Sequence, residues 1–100
     1  MNKTVLVNLT WTPEAEGGRR HVFPVGMRYY PIAVVEGSEN LGSLWSSSVT
    51  NTQVLGRETV AELSYLVDEA PHQLLQPGKS VLLYEGPRIV AEGRIEKHLV

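Results

Sequence analysis

The chain has no cysteine among its 100 residues. That excludes a disulfide framework, a thiolate metal site and a cysteine nucleophile. It has one phenylalanine and 7% aromatic residues in all. No apolar run approaches the ~18 residues of a membrane span. Basic residues do not dominate either, since nine Lys and Arg stand against eleven Asp and Glu, a formal charge of −2. An overall electrostatic grip on nucleic acid is thereby excluded, although a local basic patch is not. Residues 1–9 lack the small-residue cleavage site of a signal peptide, so the expectation is a cytoplasmic protein, and the Asn8-Leu9-Thr10 sequon is read as coincidence. What is present is an ordinary globular balance, 42% hydrophobic and 20% charged. The expectation is one domain spanning residues 1–100, with enough apolar surface for a core of its own.

Several segments read as strands. Val5, Val7, Leu9 and Trp11 alternate with more polar neighbours, the period of a half-buried strand. Thr12-Pro13 breaks the run, and residues 14–20 read as an exposed glycine loop. His21 to Val25 reads as a short extended segment at a sheet edge. Tyr29, Tyr30, Ile32, Val34 and Val35 form a further strand candidate. Ser38 to Gly56 is polar, with one irregular strand expected near Ser43 to Val49. Ser80 to Tyr84 and Arg88 to Lys97, joined by Glu85-Gly86-Pro87, read as a hairpin, with Ile89, Ala91, Gly93 and Ile95 facing the core. Glu58 to Glu69 is two-sided. Its periodicity favours a helix with Thr59-Val60-Ala61-Glu62 as a capping box, whereas a strand would place Thr59, Ala61, Leu63, Tyr65 and Val67 on one face.

Little here is catalytic. No phosphate-cradling glycine loop precedes a Lys-Ser or Lys-Thr, so no bound nucleotide is expected. His21, His72 and His98 lack ligand spacing, so no metal is expected, and no other cofactor. Ser46-Ser47-Ser48 has no nucleophile elbow around it. The reading is a non-enzyme. The arginines carry the remaining chemistry. Arg19 and Arg20 sit on the glycine loop, Arg28 follows Gly26, and Arg88 follows the Glu85-Gly86-Pro87 turn. A guanidinium fork suits phosphate or carboxylate, and turn amides beside it extend an anion-binding edge.

In order and spacing, these segments resemble the C-terminal, third domain of translation elongation factor Tu. Glu16-Gly17-Gly18-Arg19 is similar to that domain's E-G-G-R loop, and Gly26-Met27-Arg28 to its G-Y-R. Leu83 to Ile95, reading L-Y-E-G-P-R-I-V-A-E-G-R-I, tracks the family's R-E-G-G-R-T-V-G-x-G-x-V. Ala61-Glu62-Leu63 and Ala70-Pro71 follow the preceding strand more loosely. The likeness covers residues 3–36 and 58–98. It departs at Tyr29-Tyr30-Pro31, at Leu55-Gly56-Arg57 in place of the family's M-P-G-D turn, and throughout 37–56.

The resemblance implies an all-β fold, a six-stranded antiparallel closed barrel, and hence a strand rather than a helix after residue 58. It also implies RNA-backbone contacts at Arg19, Arg28, Glu85 and Gly86. Arg20 and Arg88 are further donors beside them. No segment corresponds to the family's GTPase domain, so GTP binding is not expected. The implied function is a stand-alone binding module for tRNA or other structured RNA, or for a translation-linked protein. The alternative is a protein-interaction or immunity-type domain that keeps the barrel without RNA binding. A homodimer is a further expectation, should an apolar face need covering.

Overall fold

A computed structural model describes residues 3–38 and 44–99. The described chain is all-β. Its strands are β1 (Val5–Trp11), β2 (Arg28–Tyr29), β3 (Ile32–Val35), β4 (Ser47–Leu55), β5 (Glu58–Tyr65), β6 (Ser80–Glu85) and β7 (Arg88–His98). Two single-turn 3-10 segments, Glu14–Glu16 and His72–Leu74, are the only helical pieces among the described residues. None is long and apolar enough to cross a membrane.

The strands form one antiparallel sheet in the order β2-β4-β5-β1-β7-β6-β3. It has seven strands and curls into a half-barrel, which corrects the expected closed six-stranded barrel. Pro31 is one cause. It has no N–H to give a ladder, so the expected strand from Tyr29 to Val35 splits. Its first piece pairs with β4 and its second with β6.

The two sheet edges meet at a single bridge, Ile32 with Ser46. Backbone and side-chain hydrogen bonds complete the seam. Ala33 N–H donates to the Trp45 carbonyl at 3.1 Å. Tyr65 Oη donates to the Ala33 carbonyl at 3.2 Å. Val35 N–H donates to Ser38 Oγ at 3.1 Å, and Ser38 Oγ donates back to the Val35 carbonyl at 2.6 Å. Ser47 Oγ donates to the Pro31 carbonyl at 2.9 Å. Backbone groups that would otherwise template another strand are thereby satisfied. Burial pushes the Tyr65 hydroxyl up to about 12, as expected where the charged form loses its water.

The core lies inside the curl. Val5, Val7, Leu9 and Trp11 of the central strand are buried against Ala61, Leu63, Val81, Leu83 and Ile95. The strand reading of β5 is correct and the helical periodicity misleads: Thr59, Ala61, Leu63 and Tyr65 are buried in alternation. Val67, which that reading placed on the same face, lies beyond the strand and is exposed. The polar stretch, expected to hold one irregular strand near Ser43 to Val49, carries the nine-residue β4, Ser47–Leu55, which starts later and runs further. Its alternation is masked because it buries Ser47 and Asn51 as well as Val49. Residue 43, the expected start of that strand, lies outside the described residues. His21 to Val25 forms no strand, and Phe23 packs against the core instead.

The final strand needs a second correction. Ala91 and Ile95 face the core as expected, but Ile89 is exposed and Val90 is fully buried. The register slips between Leu83 and Tyr84, which pair with Ala91 and Ile89 and leave Val90 as the extra residue. Such a bulge reverses which side chain points inward.

Candidate binding site

The end of β1 builds the candidate site. Trp11 lies under it, its indole Nε1 donating to Thr59 Oγ1 at 2.8 Å. The glycine loop then folds back on the strand end, with Arg19 N–H donating to the Thr12 carbonyl at 3.0 Å. Gly18 is required there, because a Cβ would sit 1.9 Å from the Thr12 carbonyl oxygen. Gly17 supplies the left-handed backbone at φ 91° that turns the chain, a conformation costly for other residues.

This loop delivers Arg19 onto an aromatic shelf. Its guanidinium carbon lies 4.2 Å from the Phe23 ring centroid and 5.4 Å from that of Tyr29. The rings of Phe23 and Tyr29 are 4.3 Å apart, and each lies 5.9 Å from Trp11. A cation over ring faces is held by the rings' negative quadrupole. Arg19 Nη1 donates to Glu85 Oε2 at 2.6 Å, and Arg88 Nη2 donates to Glu85 Oε1 at 2.9 Å. The Tyr29 hydroxyl donates to the same Oε2.

The electrostatics follow. The bond from Tyr29 leads in holding the Glu85 carboxyl below its ordinary range. Burial works against it, and the Arg19 and Arg88 charges add to the lowering. The Tyr29 hydroxyl is pushed well above its ordinary value, first by burial and then by Glu85.

Of the six residues singled out in the sequence, three are therefore joined in one network: Arg19, Glu85 and Arg88. Gly86 is exposed at the turn beside them, with φ 61°. Arg20 is exposed, its Nε 3.4 Å from Glu14 Oε1. Arg28 is not drawn into the network. It neighbours Tyr29 on a strand, so the two side chains leave opposite faces. Arg28 is exposed and forms no ion pair among the described residues.

Sequence reasoning missed Arg57. Its Nη2 donates to the carbonyls of Arg19 and Arg20, clamping the glycine loop from the β4–β5 turn. Nothing in Leu55-Gly56-Arg57 signals this, because the contact crosses 38 positions of sequence. Phe23 and Tyr29 were legible only as apolar residues, not as the shelf beneath an arginine. Arg19 Nε and Arg57 Nη1 are buried without an acceptor among the described residues.

The connected segments, 14–20, 28–29, 57 and 85–88, hold five of the nine basic residues and three of the eleven acidic ones. Glu58 follows Arg57 in the chain, and Glu92 lines one recess with Arg57 and Glu16, so these arginines stand among carboxylates. Among the described residues no group of three metal-ligating side chains converges. A recess of about 500 Å³ lies elsewhere, over the outer faces of β1, β6 and β7. It is an open polar surface, crossed by a bond from Asn8 Nδ2 to Glu96 Oε2 at 2.6 Å. Compared with protein-family models, with curated proteins and with solved structures, the chain matches none.

Proposed function

We propose that the chain is a non-catalytic binding module that takes the phosphate backbone of structured RNA at its arginine-rich end. The observation that carries this reading is the gathering of Arg19, Arg20, Arg57 and Arg88 around the glycine loop and the β6–β7 turn. The resemblance to the tRNA-contacting domain of elongation factor Tu points the same way. Double-stranded RNA is engaged mainly through phosphates and 2′-hydroxyls, which suits guanidinium forks and turn amides.

Roles divide within the site. Arg20 and Arg28 are the exposed donors, Arg28 with no ion pair among the described residues and Arg20 3.4 Å from Glu14. Arg88 shares its guanidinium with Glu85 and stays half-exposed. Arg19 and Arg57 shape the loop that presents Arg20, and Glu85 joins Arg19 to Arg88 through its two carboxylate oxygens. A handful of phosphate contacts gives weak binding that falls steeply with salt.

The test is fluorescence anisotropy of a labelled RNA hairpin titrated with the protein over a series of salt concentrations. Arg20→Ala and Arg28→Ala should each weaken binding regardless of sequence and each flatten the log–log salt slope by about one. A folded protein showing no saturable binding at low salt ends this reading.

A further inference from the structure

β2 and β4 keep one register from the pairs Arg28–Thr50 and Tyr29–Val49 to the Ile32–Ser46 bridge. Between them, Ser47 N–H donates to the Pro31 carbonyl at 2.9 Å. Tyr30 therefore stands opposite Ser48. Pro31, Ser47 and Val49 are buried, and Tyr29 belongs to the inner aromatic shelf. Alternation then puts Arg28, Tyr30, Ser48 and Thr50 on the outer side. The pairs Ser48–Ser64 and Thr50–Glu62 extend this face by one strand. Two rows result: Tyr30, Ser48 and Ser64, and beside it Arg28, Thr50 and Glu62.

Folding does not require an aromatic residue at position 30. Tyr30 is 57% exposed, and it makes no ring contact or hydrogen bond among the described residues. The serines beside it in its row are too short to cover the ring, and Ile32, next on the same face, is half-buried. Arg28 lies two residues earlier, about 7 Å along the same face, exposed and without an ion pair among the described residues. Glu62 is the one carboxylate in the two rows and lies two strands from Arg28, roughly 10 Å away. The four residues besides Tyr30 and Arg28 carry hydroxyls or a carboxylate, so an aliphatic anchor gains little here. A bare ring beside a guanidinium suits an unpaired nucleotide: the base stacks on the ring, its phosphate meets the cation, and hydroxyls bond to sugar and base edges. We propose that Tyr30 stacks an unpaired base of the bound RNA while Arg28 takes the adjoining phosphate. The preferred ligand is then a duplex with a single-stranded end. This inference rests on the RNA reading above and narrows its ligand.

The probes are RNA hairpins with a short overhang of adenosines at the 3′ or the 5′ end, compared with twins whose overhang is abasic. The twins carry the same phosphates and lack only the bases. Binding is followed by fluorescence anisotropy at low salt and by backbone amide shifts of the labelled protein. At one end or both, the adenosine overhang should bind about tenfold more tightly than its abasic twin, with shifts at Tyr30, Ser48 and Ser64 that the twin does not cause. Tyr30→Phe should keep that advantage. Tyr30→Ala should remove it, and so should Tyr30→Leu, which keeps apolar bulk without the flat ring. Equal binding of adenosine and abasic overhangs at both ends would overturn the inference and leave the phosphate reading standing. So would an advantage that survives Tyr30→Ala, or a Tyr30→Ala loss shared equally by both RNAs. Failure of every hairpin to bind would end both readings.

Discussion

Arg19 and Glu85, 66 positions apart in sequence, meet at 2.6 Å over the rings of Phe23 and Tyr29. The contact ties the glycine loop to the β6–β7 turn, and Arg88 and Tyr29 converge on the same carboxylate. It makes Arg19 a fixed part of the scaffold.

Arg19→Ala should therefore lower unfolding stability by about 1–3 kcal/mol, since it leaves Glu85 under-partnered and uncovers the rings. Arg19→Lys should recover little, because an ammonium lacks the planar fork and the stacking face. Denaturant unfolding measures both. A loss for Arg19→Ala no larger than for Arg20→Ala would make Arg19 an ordinary surface arginine.

The bulge in β7 separates Ile89 from Ile95, which simple alternation places on one face. Ile95→Ala should cost about 2–5 kcal/mol, as a fully buried isoleucine does. Ile89→Ala, at a position 39% exposed, should cost less than about 1 kcal/mol. Equal losses at the two positions would place Ile89 in the core and remove the bulge.

Stability should fall at both extremes of pH, for opposite reasons. Glu85 has a lowered folded-state pKa. Its contribution is complete above the unfolded carboxylate value and is lost as pH falls through the folded one. Tyr29 and Tyr65 have raised values. Their contribution is complete below the ordinary tyrosine pKa and is lost as pH rises, in the case of Tyr65 through about 12. Glu85→Gln should flatten the acid limb of a thermal-stability profile, and Tyr65→Phe the alkaline limb. Unchanged limbs would show that these groups titrate alike in folded and unfolded chains.

Two glycines mark close backbone approaches. A Cβ at Gly18 would lie 1.9 Å from the Thr12 carbonyl oxygen, and one at Gly93 would lie 1.8 Å from that of Asn8. Neither neighbour is a flexible side-chain end, so Gly18→Ala and Gly93→Ala should each cost more than about 3 kcal/mol. Gly26→Ala meets nothing within 4 Å and violates only its positive φ, for about 1–2 kcal/mol. Melting temperatures that rank Gly26→Ala worst would refute this ordering.

Much of the fold was legible because its signals are local. The alternation of Val5, Val7, Leu9 and Trp11 fixes β1, and Glu85-Gly86-Pro87 between two apolar runs fixes the final hairpin. Even the grouping of Arg19, Glu85 and Arg88 was accessible through the order of short motifs, although their roles were not. β5 was ambiguous for a physical reason: Val60, Leu63 and Val67 satisfy a helical period while Thr59, Ala61, Leu63 and Tyr65 satisfy a strand period. Pairing with β1 on one side and β4 on the other decides it.

The rest depends on contacts that no local pattern encodes. β4 buries Ser47 and Asn51, whose hydroxyl and Nδ2 donate to the Pro31 and Phe23 carbonyls, so its strand face carries no hydrophobic stripe. Arg57 becomes a clamp only when the β4–β5 turn reaches the glycine loop. The inward turn of Val90 follows from the slip in register against β6, and that slip belongs to the pair rather than to either strand. The sequence alone thus determined the local choice of strand, turn and charge. Tertiary structure decided the curl of the sheet, its register and which arginines are tied into the scaffold, because those are set by pairing energies between segments tens of residues apart.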